Sequence, residues 1–193
     1  MRSSFWMVFT VLALNAGGAT ASTPTADDKA RAQAAVMEFS SRLRHVLQEQ
    51  LHTEGSLSAI DVCHVQAPLI AQEVEQTHGV HLGRTSERLR NPANAPTEWQ
   101  TEWLQQFAAK VAAGESAAAQ QAMVNSRLPD GVALRLVRGI PVEPACTLCH
   151  GANVAAEVST ALANHYPDDN ATGYKVGDLR GLIWVEVPEQ TAP

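Results

Sequence analysis

The sequence predicts an α+β domain in which helices from the N-terminal half pack on a small antiparallel sheet. Two observations support this prediction. Apolar residues recur every three or four positions through residues 27–78, as they do in amphipathic helices. Beyond residue 120, short runs of β-forming residues alternate with turns that contain glycine and proline. With 193 residues, the chain is long enough for one domain with a single core.

Two long helices are predicted first. The first covers about 27–50, and its apolar stripe consists of Val36, Phe39, Leu43, Val46, Leu47 and Leu51. The second covers about 58–78, with Ser58 as its N-cap and Cys63 on its buried stripe. Pro68 is expected to kink or divide this second helix, because proline removes a backbone donor and crowds the preceding turn.

A third helix begins after Thr97, whose position three residues before Gln100 is typical of a capping box. Its predicted core face consists of Trp99, Trp103, Phe107 and Val111. A short helix capped by Asn153 is predicted at 153–165. The predicted strands are 80–85, 122–128, 132–137 and 179–187, and a Pro-Asp-Gly turn at 129–131 joins the middle two.

The first 21 residues have the order of a secretory signal. Arg2 precedes an apolar run at 5–14, and Ala19-Thr20-Ala21 provides a cleavage site. The apolar run is too short to span a bilayer. We therefore expect a periplasmic protein without stable membrane insertion, in which residues 22–193 form one domain.

The net charge and the number of cysteines exclude some classes of function. The net charge is −6, and no cluster of basic residues is present to attract nucleic acid. An exported chain with three cysteines is unusual, because one disulfide would leave a thiol exposed to oxidation. Some of the cysteines are therefore expected to bind something other than sulfur.

Cys146, Cys149 and His150 form the sequence CTLCH, which is the attachment motif for c-type haem. In this motif the two thiols form thioethers and the histidine supplies an axial nitrogen to the iron. A zinc site would need a further ligand pair that the sequence lacks. A thioredoxin-like redox pair would not require the histidine, and a disulfide across two residues is a poor structural link. One motif predicts one covalently attached haem c, with His150 as the proximal ligand.

Residue spacing alone leaves the opposite axial ligand open. The candidates are Met37, Met123, Cys63 and the other histidines, which are His45, His52, His64, His78, His81 and His165. Each has an ordinary structural explanation as well. A buried cysteine, for example, is more often a small apolar residue than a ligand.

Four sequence blocks resemble the bacterial family of exported c-type haem sensor domains with a PAS-like fold. The blocks are AIDVCHVQAP, GVHLGRTSERLRNPANAP, IPVEPACTLCHG and YPDDNATGYKVGDLRG, and together they cover most of the chain after the signal. The resemblance implies a PAS-like sheet and axial ligation by His150 and Cys63. Arg84 and Arg90 lie in one of these blocks, where a guanidinium is able to pair with a haem propionate or to serve as an ordinary structural arginine.

These observations lead to a sensor as the first functional hypothesis. A labile Cys63 ligand would let a monohaem cytochrome respond to redox state or to a diatomic gas. The alternative is a monohaem electron carrier that keeps both ligands and serves a redox partner protein. An enzyme is not expected, because the sequence indicates no distal acid or base for peroxidase chemistry.

Overall fold

The computed structural model describes residues 23–190, so the predicted secretory signal at 1–21 lies outside the described residues. The predicted α+β class is confirmed: N-terminal helices pack on a four-stranded antiparallel sheet. Within residues 23–190, no helix is both long and apolar enough to span a membrane.

The first helix, α1, runs over Ala26–Thr53, and Thr25 caps its N-terminus with a capping box to Asp28. The predicted second helix is composite: α2 covers Ser56–Asp61, a π-helical turn covers Val62–Gln66, and α3 covers Ala67–His78. The prediction that Ser58 is the N-cap was wrong. Gly55 occupies that position with a φ of 84°, which glycine adopts without strain.

The irregularity expected at Pro68 lies one turn earlier. Pro68 has no N–H for the α-helical bond to the carbonyl of His64, and its ring would crowd that carbonyl. The chain widens before it, and the N–H of Ala67 bonds to the carbonyl of Val62, five residues back. Pro68 itself then lies in the first turn of α3, where its missing donor costs little. Cys63 lies inside the widened turn.

The sheet consists of β1 (His81–Thr85), β2 (Gln121–Val124), β3 (Val132–Pro141) and β4 (Leu179–Pro188). Its order is β1-β4-β3-β2, and all neighbours are antiparallel. Strand β2 stops at Val124 rather than at 128, and β3 continues beyond 137. The predicted turn is present: the N–H of Val132 bonds to the carbonyl of Pro129 at 3.2 Å, and Gly131 has a φ of 81°.

Three further helices follow: α4 (Glu98–Ala112), α5 (Thr147–His150) and α6 (Ala156–His165). Of these, α4 packs on the sheet and α6 packs against α2. The predicted N-cap Thr97 is confirmed, and its N–H bonds to the Gln100 side chain at 2.9 Å. The N-cap of α6 is Ala155 rather than the predicted Asn153. The face of α4 is rotated from the predicted one, since its buried residues are Gln100, Leu104 and Phe107.

The two faces of the sheet have different partners. One face packs against α1 and α3, and its buried residues include Leu82, Leu134, Leu136, Val185 and Val187. The opposite face packs against α4 through Val137 and Leu182, with Trp99, Trp103 and Trp184 partly buried beside them. Both faces are therefore covered over most of their area.

The apolar stripe of α1 is divided between the core and a cavity. Val36 and Phe39 are almost fully buried, and Leu43 and Val46 pack against the same core. Leu47 and Leu51 instead line a cavity beyond the end of that core. One helix thus closes the core and also provides part of a cavity wall.

Ionic contacts fix α3 against α1. Arg31 donates to the carbonyl of Gly79 at 3.1 Å and pairs with Asp28 at 2.8 Å. His78 Nε2 lies 2.8 Å from a carboxylate oxygen of Glu38, and this hydrogen bond holds the pKa of Glu38 below its usual value. These contacts position the C-terminal end of the helical segment that carries Cys63.

We predict unequal costs for two leucine substitutions. Leu134→Ala removes a side chain that is 1% exposed in the core, and we expect it to cost about 2–5 kcal/mol of unfolding free energy. Leu47→Ala enlarges an existing cavity, so we expect about half that cost or less. Urea unfolding followed by circular dichroism measures both. Equal losses would show that Leu47 packs as a core residue.

Candidate functional site

A cavity of about 340 Å³ lies between the C-terminal half of α1, α2, the π-helical turn, one end of the sheet, α5 and α6. Small-molecule sites commonly have volumes of about 300–1,000 Å³. Most of the wall is apolar and includes Phe39, Leu43, Leu47, Leu51, Ala59, Ile60, Leu89, Ile140, Leu162 and Ile183. The cavity therefore suits a ligand with a large apolar body.

The sequence CTLCH forms part of this wall. A short 3₁₀ turn, Pro144–Cys146, leads directly into α5, so both thiols and His150 come from one compact turn. Cys146 and Cys149 are unpaired, and burial raises the pKa of each thiol. Gly151 ends the turn, and a Cβ there would lie 2.5 Å from the carbonyl oxygen of Thr147. Only glycine allows this tight exit.

The ring of His150 is fixed by a backbone acceptor. Its Nδ1 lies 2.7 Å from the carbonyl oxygen of Ala171, and because a carbonyl only accepts, Nδ1 carries the hydrogen. In the neutral ring, Nε2 is then free to bind a metal. Burial, followed by the charges of Arg180 and Arg90, lowers the pKa of His150 to about 3. The ring is neutral at physiological pH, as a metal ligand must be.

Arg90 links α5 to the loop that follows α6. Its Nε and Nη2 bond to Asp169 at 3.0 and 2.9 Å, and Nη2 also donates to the carbonyl of Cys149 at 2.6 Å. The other carboxylate oxygen of Asp169 accepts from the N–H of Ala171 at 2.8 Å. Arg90 lines the cavity, but these contacts already engage its Nε and Nη2.

Cys63 faces the same cavity from the π-helical turn. The prediction of a buried position was inaccurate, because Val62 is the buried residue of this turn and Cys63 is half-buried. Cys146 and Cys149 line the same cavity from the turn that leads into α5. All three cysteines of the chain therefore share one cavity.

The other candidates for a second axial ligand lie elsewhere. Met37 is 64% exposed, Met123 packs against the core, and none of the six remaining histidines lines the cavity. His78 pairs with Glu38, and the Nδ1 of His64 bonds to the Tyr166 hydroxyl. Among the candidates that the sequence left open, only Cys63 faces the cavity.

Three arginines of the cavity wall have no carboxylate partner within residues 23–190. Arg84 of β1 and Arg138 of β3 both pair in register with Ile183 of β4, so they lie on the same sheet face with Ile183 between them. Arg180 donates to the Ser86 hydroxyl at 2.6 Å and to the Arg88 carbonyl at 3.2 Å. Burial, together with the charges of Arg90 and Arg84, lowers the pKa of Arg180.

These side chains fit haem as a ligand. Partly buried cations without counterions favour an anionic partner, and haem carries two carboxylates at one edge of an apolar ring. The cavity supplies the same division, with guanidinium groups at the sheet and apolar side chains around the remainder. Within residues 23–190, no three His, Cys, Asp or Glu side chains are arranged so that they could hold a metal ion by themselves.

Sequence reasoning missed three residues of this wall: Arg138, Arg180 and Tyr166. Arg180 and Tyr166 lie at the two ends of the last block on which the family resemblance rests, so that block already contained a signal. No signal in the sequence pointed to Arg138. It joins the site only because β3 pairs with β4, which places Arg138 beside Ile183, the residue that also pairs with Arg84.

A search of curated proteins found no match to this chain. Among solved structures, the crystal structure of the cyanobacterial haem protein Tll0287 matches with a TM-score of 0.66 and 25% sequence identity. The match covers 88% of this chain and 99% of that chain. The α+β architecture is therefore shared with a haem protein.

The model of the Tll0287-like family matches residues 21–188. This range includes every helix and strand described above and all of the cavity wall. The family resemblance drawn from the four sequence blocks is thereby confirmed. The chain belongs to the Tll0287-like family.

Proposed function

We propose that this protein is a periplasmic, monohaem c-type cytochrome that senses redox state or a diatomic gas through a labile Cys63 ligand. The observation that supports the proposal is that Cys63, Cys146, Cys149 and His150 all line one apolar cavity. The chain's match to a haem protein supports the same cofactor. Bound there, haem would supply an iron that exchanges one electron and accepts an axial ligand.

Cys146 and Cys149 are proposed to hold the haem covalently, and His150 to bind its iron. The compact turn that contains all three residues supports this assignment. His150 presents an unprotonated Nε2, because Ala171 accepts the hydrogen of Nδ1. Arg90 and Asp169 keep that acceptor in place through the bonds described above.

Cys63 is proposed as the ligand opposite His150 and as the part that moves. It binds as the thiolate, which favours ferric iron, and it leaves as the thiol once it takes up a proton. Its place in a π-helical turn supports this role, since such turns are rare and occur often at functional sites. A widened turn also tolerates local rearrangement better than a regular helix.

The arginines on the sheet are proposed to bind the haem carboxylates. The sequence suggested Arg84 and Arg90 for this role. The contacts of Arg90 with Asp169 and Cys149 favour a structural role for that residue, whereas Arg84, Arg138 and Arg180 have no carboxylate partner among residues 23–190. The proposal therefore assigns the carboxylates to these three.

The proposed partner is a diatomic ligand or a redox partner protein, and neither catalysis nor nucleic-acid binding is part of the proposal. The acidic residue of the cavity wall, Glu143, pairs with Arg44 at 3.3 Å, so it is not a free distal acid or base. The net charge of −6 would repel nucleic acid.

Covalent attachment predicts different outcomes for different cysteines. In a host that matures c-type cytochromes, we expect the Cys146→Ala and Cys149→Ala double variant to lose covalently bound haem. Cys63→Ser should keep it, because Cys63 binds only iron. Mass spectrometry of the denatured chain and its absorption spectrum measure both. A colourless wild-type chain from the same host would contradict the haem assignment itself.

Axial ligation predicts a spectroscopic change in Cys63→Ser. We expect the thiolate signature in the electron paramagnetic resonance spectrum of the ferric protein to vanish. The reduction potential should rise, because the thiolate stabilises ferric iron. Met37→Leu is the matched control and should change neither. If wild-type protein keeps the same two ligands in both oxidation states, the electron-carrier alternative replaces the sensor.

If Arg138 binds a haem carboxylate, its substitution should change the reduction potential of the haem, whereas substitution of Arg135 in the same strand should not. Arg138→Gln removes a positive charge beside the haem edge, so we expect the reduction potential to fall. Arg135→Gln is the control, because Arg135 lies on the opposite sheet face, where it pairs with Glu186 at 2.7 Å. Redox titration at low salt measures both. Equal shifts would indicate a general charge effect instead of a specific contact.

A further inference from the structure

The chain has two tyrosines, and they have different environments. Tyr166 follows the last residue of α6, is 6% exposed and lines the cavity. Tyr174 is equally buried but does not line the cavity. Its ring makes an edge contact with His150 at 6.4 Å, and its hydroxyl donates to the Arg180 carbonyl at 3.5 Å.

The hydroxyl of Tyr166 has a partner next to Cys63 in the sequence. It lies 2.8 Å from Nδ1 of His64, and this is its only hydrogen bond within residues 23–190. His64 does not line the cavity, and the centre of its ring lies 4.8 Å from that of His165, with the two rings tilted by 45°. Tyr166, a residue of the cavity wall, is therefore tied through its hydroxyl to the π-helical turn that carries Cys63.

A phenol hydroxyl both donates one hydrogen bond and accepts others. If Nδ1–H of His64 donates to the oxygen, the hydroxyl hydrogen remains available for an acceptor in the cavity. Burial raises the pKa of Tyr166, and a thiolate at Cys63 raises it further, so the hydroxyl keeps its hydrogen at physiological pH. Tyr166 thus offers a neutral donor in the wall of the cavity that Cys63 also lines.

We propose that Tyr166 donates a hydrogen bond to the ligand that replaces Cys63, so that the site favours diatomic ligands whose outer atom accepts hydrogen bonds, dioxygen above all, over carbon monoxide. This inference rests on the proposed haem site and deepens it. Hydrogen-bond donors near an open axial position govern which gas is retained. His64 acts as the positioning residue for the hydroxyl.

The test uses the full haem-bearing chain in a Cys63→Gly background, which frees the axial position whether or not Cys63 is labile. The probe is carbon monoxide added to the reduced protein, and the readout is the infrared C–O stretch. We expect Tyr166→Phe to move the band to higher wavenumber, because the donor that polarises the bond is lost. Tyr174→Phe is the matched control and should leave the band in place.

Two further measurements complete the test. Dioxygen should dissociate about tenfold faster from Tyr166→Phe, as expected for the loss of one hydrogen bond. If Tyr166→Phe folds poorly, the Cys63→Gly protein with Tyr166 intact provides the test. Its transfer to D₂O should shift the C–O band, because the band shifts only if an exchangeable hydrogen contacts the ligand. An unshifted band in the variant, or in D₂O for the Cys63→Gly protein, overturns the inference.

The outcomes separate this inference from the proposed function. A chain without haem overturns both. A haem-bearing wild-type chain in which Cys63 never leaves overturns the sensor, whereas an unshifted C–O band in the Cys63→Gly background overturns the role of Tyr166 alone.

Discussion

Positive charge without a counterion is the constraint around which the cavity is organised. Arg84, Arg138 and Arg180 face an apolar space, and within residues 23–190 no carboxylate pairs with them. Burial lowers the pKa of Arg180, and repulsion from the charges of Arg90 and Arg84 lowers it further. An anionic ligand relieves this repulsion, whereas a neutral apolar one would leave it in place. The fold therefore favours a ligand that is apolar over most of its area and anionic at one edge.

The two walls that would grip such a ligand differ in rigidity. On the His150 side, the turn is closed by Gly151, and the bonds of Arg90 and Asp169 tie it to the loop after α6. The N–H of Tyr174 adds a further bond to the carbonyl of His150 at 2.9 Å. On the Cys63 side, the backbone is a single π-helical turn between two helices. If Cys63 and His150 are the two axial ligands, as proposed above, a change of ligand is therefore expected to displace Cys63 rather than His150.

The sequence revealed more of the chemistry than of the geometry. CTLCH and the odd number of cysteines indicated the cofactor, and apolar periodicity located α1 and the four strands to within a few residues. The limits lay where local pattern and tertiary packing differ. Pro68 indicated an irregular helix, but the irregularity lies at Val62–Gln66, where the N–H of Ala67 bonds to the carbonyl of Val62. Arg138 joined the site only through strand register, which no local pattern encodes.

The strand order has a consequence for the assembly of the protein. β4 is the last strand within residues 23–190, yet it lies between β1 and β3 and contributes Ile183 to the cavity wall. The sheet cannot close until residues 179–188 have arrived, and CTLCH precedes them by about thirty residues. A chain that emerges from its amino end therefore presents the two thiols of CTLCH while the pocket around them is still open. If haem were attached to these thiols before the sheet closes, β4 would fold over a cofactor that is already bound.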